Sequence, residues 1–186
     1  MKKTIILIMI ALSINSFSAQ VLNNKIASFL TNKEIKNLVF GQYNLDTEIA
    51  AVSKIKGTGA DSIEKADKDA KAGVQTGAKD YAYEILNGYL NSSLVSGPGF
   101  NSSKMREFAN EIAKEVSVNA RRKGSWSTSK NETVVLYTID KESIKSSATR
   151  MFNERLGAVI QKLNDYKNNF EQGVPVQTQT IETTEE

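Results

Sequence analysis

The chain has 186 residues, 40% of them hydrophobic, which suits one globular domain with a modest core. It contains neither cysteine nor histidine, so disulfide bonds, metal sites built on thiolate or imidazole, and Ser-His-Asp or Cys-His catalysis are excluded. Without Lys2 and Lys3, 22 basic residues face 21 acidic ones, and a net charge of +1 predicts no nucleic-acid partner.

The N-terminus has the pattern of a secretory signal peptide. Two lysines precede an apolar run at residues 5–14, and small or polar residues follow. Spanning a bilayer takes about 20 apolar residues, roughly twice the length of this run, so the mature chain is expected to have no transmembrane segment. Small side chains at Ser16 and Ser18 favour a signal peptide of residues 1–18 and a mature start at Ala19, with Gln20 as the alternative. Because no cysteine is present, no lipid anchor can be attached at the cleavage site.

Residues 19–45 are predicted to form an N-terminal helical segment. Apolar residues recur at amphipathic spacing through residues 21–40, which indicates one or two short helices ending near Gly41. Such a segment can pack on its own domain or serve as an arm for a partner.

A strand at residues 48–57 and a long helix at residues 61–90 are predicted next. The strand alternates weakly, and Gly57 and Gly59 make the turn into the helix, with Thr58 or Asp61 as its cap. Small residues recur every four positions along this helix, at Ala66, Ala70, Val74, Ala78 and Ala82, with Gly73 and Gly77 beside them. Since each glycine costs a helix about 1 kcal/mol, we expect this face to pack closely on the sheet and on the last helix.

A Ser-, Gly- and Pro-rich loop at residues 91–103 leads to a second helix that ends at Glu115 and is capped by Ser102 or Ser103. Strands are predicted at residues 116–128 and 133–140, joined by a hairpin. The last helix, residues 141–170, has the most regular apolar spacing in the chain, and a polar tail at residues 172–186 is predicted to be disordered.

This order predicts an α+β domain at residues 46–171, with a small antiparallel sheet of about three strands and two long helices packed on one face. The order of elements is β-α-α-β-β-α, preceded by the N-terminal helices.

The strand at residues 50–57, the alanine spacing of the long helix and the run Thr133-Val-Val-Leu-Tyr-Thr-Ile-Asp-Lys141 together resemble the twenty-kilodalton outer-membrane lipoprotein family. That family is similar in turn to the N-terminal domain of the flagellar assembly protein T. The resemblance covers residues 48–163 and implies an exported, non-enzymatic module of the bacterial envelope. This chain departs from the lipoproteins by lacking the cysteine that carries the lipid.

Two patterns raise an enzymatic alternative. Ser62 and Lys65 match the Ser-x-x-Lys of penicillin-recognising enzymes, but the later Lys-Thr-Gly or Lys-Ser-Gly element is missing. Acidic residues near the start of the long helix, Asp61, Glu64, Asp67 and Asp69, can be compared with the carboxylate pair of a glycosidase. Lysines alternate with them, so a solvated face with ion pairs is the competing interpretation.

Five residues are candidates for partner binding. A basic run, Arg121, Arg122 and Lys123, lies close in sequence to Trp126, and such a combination can bind an acidic group beside an aromatic ring. The fifth candidate, Phe100, follows the flexible loop. The competing interpretation buries Trp126 and Phe100 in the domain.

The sequence therefore predicts an exported, non-enzymatic binding or structural module of the periplasm or cell surface. Its expected partner is an envelope or surface protein or a second copy of the chain, and no cofactor, metal or catalytic residue is expected. A small envelope enzyme acting on peptidoglycan or peptides and a secreted adhesin or toxin-like protein are the alternatives.

Overall fold

The computed structural model describes residues 20–22, 33–93 and 99–171. The elements are β1 (Gln20–Leu22), α1 (Lys33–Val39), β2 (Glu48–Lys56), α2 (Ala60–Ser93), α3 (Ser102–Ser117), β3 (Arg121–Ser127), β4 (Glu132–Asp140) and α4 (Lys141–Glu171). This is the predicted α+β class, and from Glu48 onward the elements follow the predicted order. The predicted signal peptide, the centre of the loop at residues 94–98 and the tail lie outside the described residues.

The sheet is antiparallel throughout and has the strand order β1-β2-β4-β3. Its fourth strand, β1, falls where the N-terminal segment was predicted to become helical, and it pairs Val21 with Ala51 at the edge of β2. Residues Thr133 to Ile139 of β4 are all buried, because β4 is a central strand with a covered surface on both sides.

One face of the sheet is covered by α2. The small residues of this helix, Ala66, Ala70, Val74, Ala78 and Ala82, are completely buried, and α2 packs on β2 and β4. The predicted close approach to the sheet is therefore present. The most extensive helix contact of α2 within the first unit is with α3.

The opposite face of the sheet is covered by α1. Ile35 and Val39 pack there against alternate residues of the central strands, which are Ala50, Val52, Val134 and Leu136. Glu34 attaches α1 to the hairpin between β3 and β4, because its carboxylate accepts hydrogen bonds of 2.7 and 2.8 Å from the backbone N–H and the hydroxyl of Ser129.

Two local predictions were wrong. The strand predicted at residues 116–128 begins only at Arg121, because α3 continues to Ser117 and buries Val116. The cap of α3 is Asn101, whose side-chain oxygen accepts from the N–H of Lys104, whereas Ser102 lies inside the first turn.

The chain forms two compact units that divide between Ala148 and Thr149. The first contains the sheet, α1, α2, α3 and the first turns of α4, where Ile144 and Ala148 are buried. The second begins within α4.

Candidate functional site

Ser62 connects the start of α2 to the end of β2. Its hydroxyl donates a 3.2 Å hydrogen bond to the carbonyl oxygen of Lys56, and Lys65, one turn later, is exposed. Gly57, between the two elements, has φ of +97°, a conformation that favours glycine. The contacts of Ser62 are therefore those of a residue that stabilises a helix start.

The carboxylates of Asp67 and Asp69 engage different strands. Oδ1 of Asp67 lies 3.0 Å from Nε of Arg122 on β3, as an ion pair without the alignment of a hydrogen bond, and Asp69 accepts a 2.8 Å hydrogen bond from Ser53 on β2. Burial raises the pKa of the Tyr137 hydroxyl, and the neighbouring Asp67 carboxylate raises it further. A glycosidase needs two carboxyl groups facing one bond, and these two are committed to opposite sides of α2.

The predicted basic cluster lies on β3 at a β-bulge formed by Lys123. Arg122 is opposite Tyr137 and points to the α2 face, where it meets Asp67. Lys123 points to the α1 face, where its Nζ lies 2.8 Å from Glu48. Arg121 is exposed. Successive residues of a strand point to opposite faces in any case, and the inserted Lys123 places Gly124 and Trp126 on the face opposite to Arg122.

Glu48 collects three donors at the start of β2. Its carboxylate accepts from the N–H of Asn44 at 3.0 Å, from the hydroxyl of Thr138 at 3.1 Å and from Lys123. Partial burial alone would raise the pKa of Glu48, but the hydrogen bonds outweigh it and hold this pKa below its usual value. Lys123 on β3 is thus connected through Glu48 to β2 and β4.

Trp126 and Phe100 are packed within the chain. Trp126 packs against the α1-face core, and its indole lies over Gly124, where an added Cβ would come within 2.3 Å of the ring. Phe100 is only 4% exposed. Internal contacts or burial therefore account for four of the five candidates, and the structure does not bring the five together as one surface. Their predicted role in partner binding stays a prediction.

Within residues 149–168, exposed apolar side chains lie along α4. Ile160, Leu163 and Tyr166 are 51%, 61% and 56% exposed, and Leu156 and Val159 are half-buried. The regular apolar spacing predicted for the last helix therefore continues past its buried first turns into residues that are exposed. We call Leu156, Val159, Leu163 and Tyr166 the α4 seam.

Basic residues border the α4 seam on both sides, with Arg155 and Lys162 on one side and Lys167 on the other. The sequence shows the apolar spacing of this helix, and its local pattern does not tell a buried stripe from an exposed one.

The described residues contain no group of three or more Asp and Glu side chains placed to hold a metal ion. None of the helices in the described part of the chain has both the length and the hydrophobicity to cross a membrane. Comparisons with protein-family models, with curated proteins and with solved structures found no match to this chain.

Proposed function

We propose that this protein is an exported, non-enzymatic binding module of the bacterial envelope or cell surface, acting through contacts with another protein. The observation that carries the proposal is the α4 seam, where large apolar side chains stand exposed on one helix. Exposed apolar residues that are contiguous are typical of interaction sites, whereas isolated ones are ordinary.

The contacts of the candidate catalytic residues support the same proposal. The Ser62 hydroxyl, Asp67 and Asp69 each serve a structural contact between α2 and the sheet. An acyl enzyme needs its serine beside a base, and a glycosidase needs its carboxylates to converge.

Export is proposed from the N-terminal pattern of residues 1–18 and from the resemblance to the outer-membrane lipoprotein family. Cleavage before Ala19 would retain all of β1, which begins at Gln20 and pairs with β2. N-terminal sequencing of the protein recovered from periplasm, envelope and medium tests this part, and recovery of an uncleaved chain in the cytoplasm would contradict it.

Small residues along a long helix can favour self-association, but a dimer of this chain would need a surface other than the small face of α2. Those small residues are buried within the chain.

Site-directed photocrosslinking in the producing bacterium tests the binding role. A photoreactive amino acid at Tyr166, on the seam, is expected to give a light-dependent protein adduct, and the same group at Asn168, off the seam, is the matched control. Leu163→Asp should remove the adduct without changing the melting temperature, since Leu163 is already exposed. Equal adducts at both positions, or none at either, would contradict the proposal.

A further inference from the structure

The α4 seam has the spacing of a coiled coil. Leu156, Val159, Leu163 and Tyr166 are separated by three, four and three positions, as are the a and d positions of a heptad. Phe170 continues the spacing by four, within the same helix. At 1.5 Å per residue the stretch is about 21 Å long. The seam is therefore a narrow stripe that fits a partner helix of about two heptads.

The positions beside the seam carry one sign of charge. Arg155 and Lys162 occupy g positions, and Ile160 and Lys167 occupy e positions. In a coiled coil these positions face the flanking residues of the partner helix and select its charge. The acidic residues of this part of α4, Glu154, Asp165 and Glu171, occupy f, c and b positions away from the seam.

A second copy of the chain is a poor occupant of the α4 seam. A parallel pair would place Lys162 of one copy opposite Lys167 of the other, and an antiparallel pair would place Arg155 opposite Lys162. Both arrangements bring like charges together. An anionic membrane is also less suitable, because interfacial helices have a basic polar face, and here the face opposite the seam carries neutral amides such as Gln161 and Asn168.

Building on the proposed function, we infer that the α4 seam binds an acidic amphipathic helix of a partner protein. Apolar side chains of the partner pack along Leu156, Val159, Leu163 and Tyr166, and its carboxylates lie beside Arg155, Lys162 and Lys167.

Two synthetic peptides of three heptads test the inference against the full mature chain. Both have leucine at a and d, and one has glutamate at e and g where the other has lysine. Fluorescence anisotropy is expected to show that the glutamate peptide binds at least about ten-fold more tightly than the lysine peptide. This difference in affinity should shrink as the salt concentration increases. Equal affinity for the two peptides, or preference for the lysine peptide, would overturn the inference.

Two double variants distinguish the effect of the charges beside the α4 seam from the effect of the overall net charge on peptide binding. K162Q/K167Q removes two positive charges beside the seam and should abolish the preference between the peptides. Q161E/N168E changes the net charge by the same amount at f positions and should keep the preference. Equal loss in both variants would mean that overall charge, and not the seam, selects the peptide, and the inference would fail.

The other occupants are tested with the same chain. Concentration-dependent dimerisation that Leu163→Asp removes would assign the α4 seam to a second copy. Seam-dependent binding to phosphatidylglycerol vesicles, with no peptide preference, would assign it to a membrane. Tighter peptide binding in E182Q/E185Q/E186Q by about ten-fold would assign it to the chain's own tail. Each result overturns the inference.

The two proposals can fail separately. A light-dependent adduct at Tyr166 combined with equal affinity for both peptides would contradict only the acidic partner. Absence of the adduct would contradict the binding role itself.

Discussion

Gly124 and Trp126 show how one residue positions another within a strand. Both lie on the α1 face of β3, opposite Leu136 and Val134, and the indole occupies the space that a side chain at Gly124 would need. The ring is thereby held against the core beneath α1. Glycine at position 124 is needed for this close approach.

Gly124→Ala is expected to lower the free energy of unfolding by about 1–3 kcal/mol, because the added Cβ forces the indole out of its packing. Chemical denaturation, followed by Trp126 fluorescence, measures the loss. The matched control is Gly88→Ala in α2, where nothing lies within 4 Å of an added Cβ and alanine should add up to about 1 kcal/mol. A Gly124→Ala protein as stable as the parent would show that the indole has another position available.

Glu48 predicts a pH dependence of stability. Its pKa is held below 4.5 in the folded chain, so the ionised carboxylate stabilises the fold at pH values above its unfolded pKa. This stabilisation is lost as pH falls through the lower, folded pKa.

Glu48→Gln should therefore be less stable than the parent by roughly 1 kcal/mol or less at pH 7, since the carboxylate is only partly buried and solvent screens its ion pair. The two proteins should converge as the pH falls through the lower, folded pKa of Glu48, and urea denaturation at several pH values measures the difference. Glu107→Gln removes the exposed pair with Lys104 and is the control, with an expected loss of only a few tenths of a kcal/mol. A difference for Glu48→Gln that does not change with pH would contradict the proposed charge network.

At the scale of the element, the small face of α2 determines how near this helix lies to the sheet. Gly73 and Gly77 are buried beside the alanines of that face. Three glycines in one helix would cost about 3 kcal/mol, and the buried alanine face offsets this cost by close packing.

Gly77→Leu is expected to destabilise the protein by about 1–3 kcal/mol through overpacking. Gly88→Leu places the same side chain in open space on the same helix and should not destabilise it. Thermal melts of the two variants make the comparison. An unchanged melting temperature for Gly77→Leu would mean that the helix can shift away from the sheet without cost.

At the scale of the whole molecule, the two units should differ in protection of their backbone amides. Residues Thr133 to Ile139 of β4 are buried in the centre of the sheet, whereas nearly all of α4 from Ile160 to Asn168 is exposed. Amides with few buried apolar contacts exchange through local opening, while those of the core need larger unfolding.

Hydrogen exchange is therefore expected to be at least about ten-fold faster at residues 156–168 than at residues 133–139. Mass spectrometry of peptic fragments measures both segments in one sample. Addition of the glutamate peptide should slow exchange at residues 156–168 alone. Equal protection of the two segments in the isolated chain would contradict the exposure of Leu163 and Tyr166 seen among the described residues.

The sequence by itself determined the identity and order of the main elements. Glycine turns, the β-branched run that forms β4 and the four-residue spacing of small residues in α2 are local signals, and they specify which side of each element is apolar. The candidate site was predicted less well, since Phe100 and Trp126 were recognised as prominent residues without a means of placing them.

Only the tertiary structure decided which surface covers each apolar side. Glu34 meets Ser129 from 95 residues away, the bulge at Lys123 places Gly124 and Trp126 on the face opposite to Arg122, and β1 adds an edge strand within a segment predicted to be helical. The last helix gave the strongest local signal, and its residues 160–168 are exposed. The physical reason is that periodicity measures the apolar side of an element, whereas burial depends on contacts with residues distant in the chain.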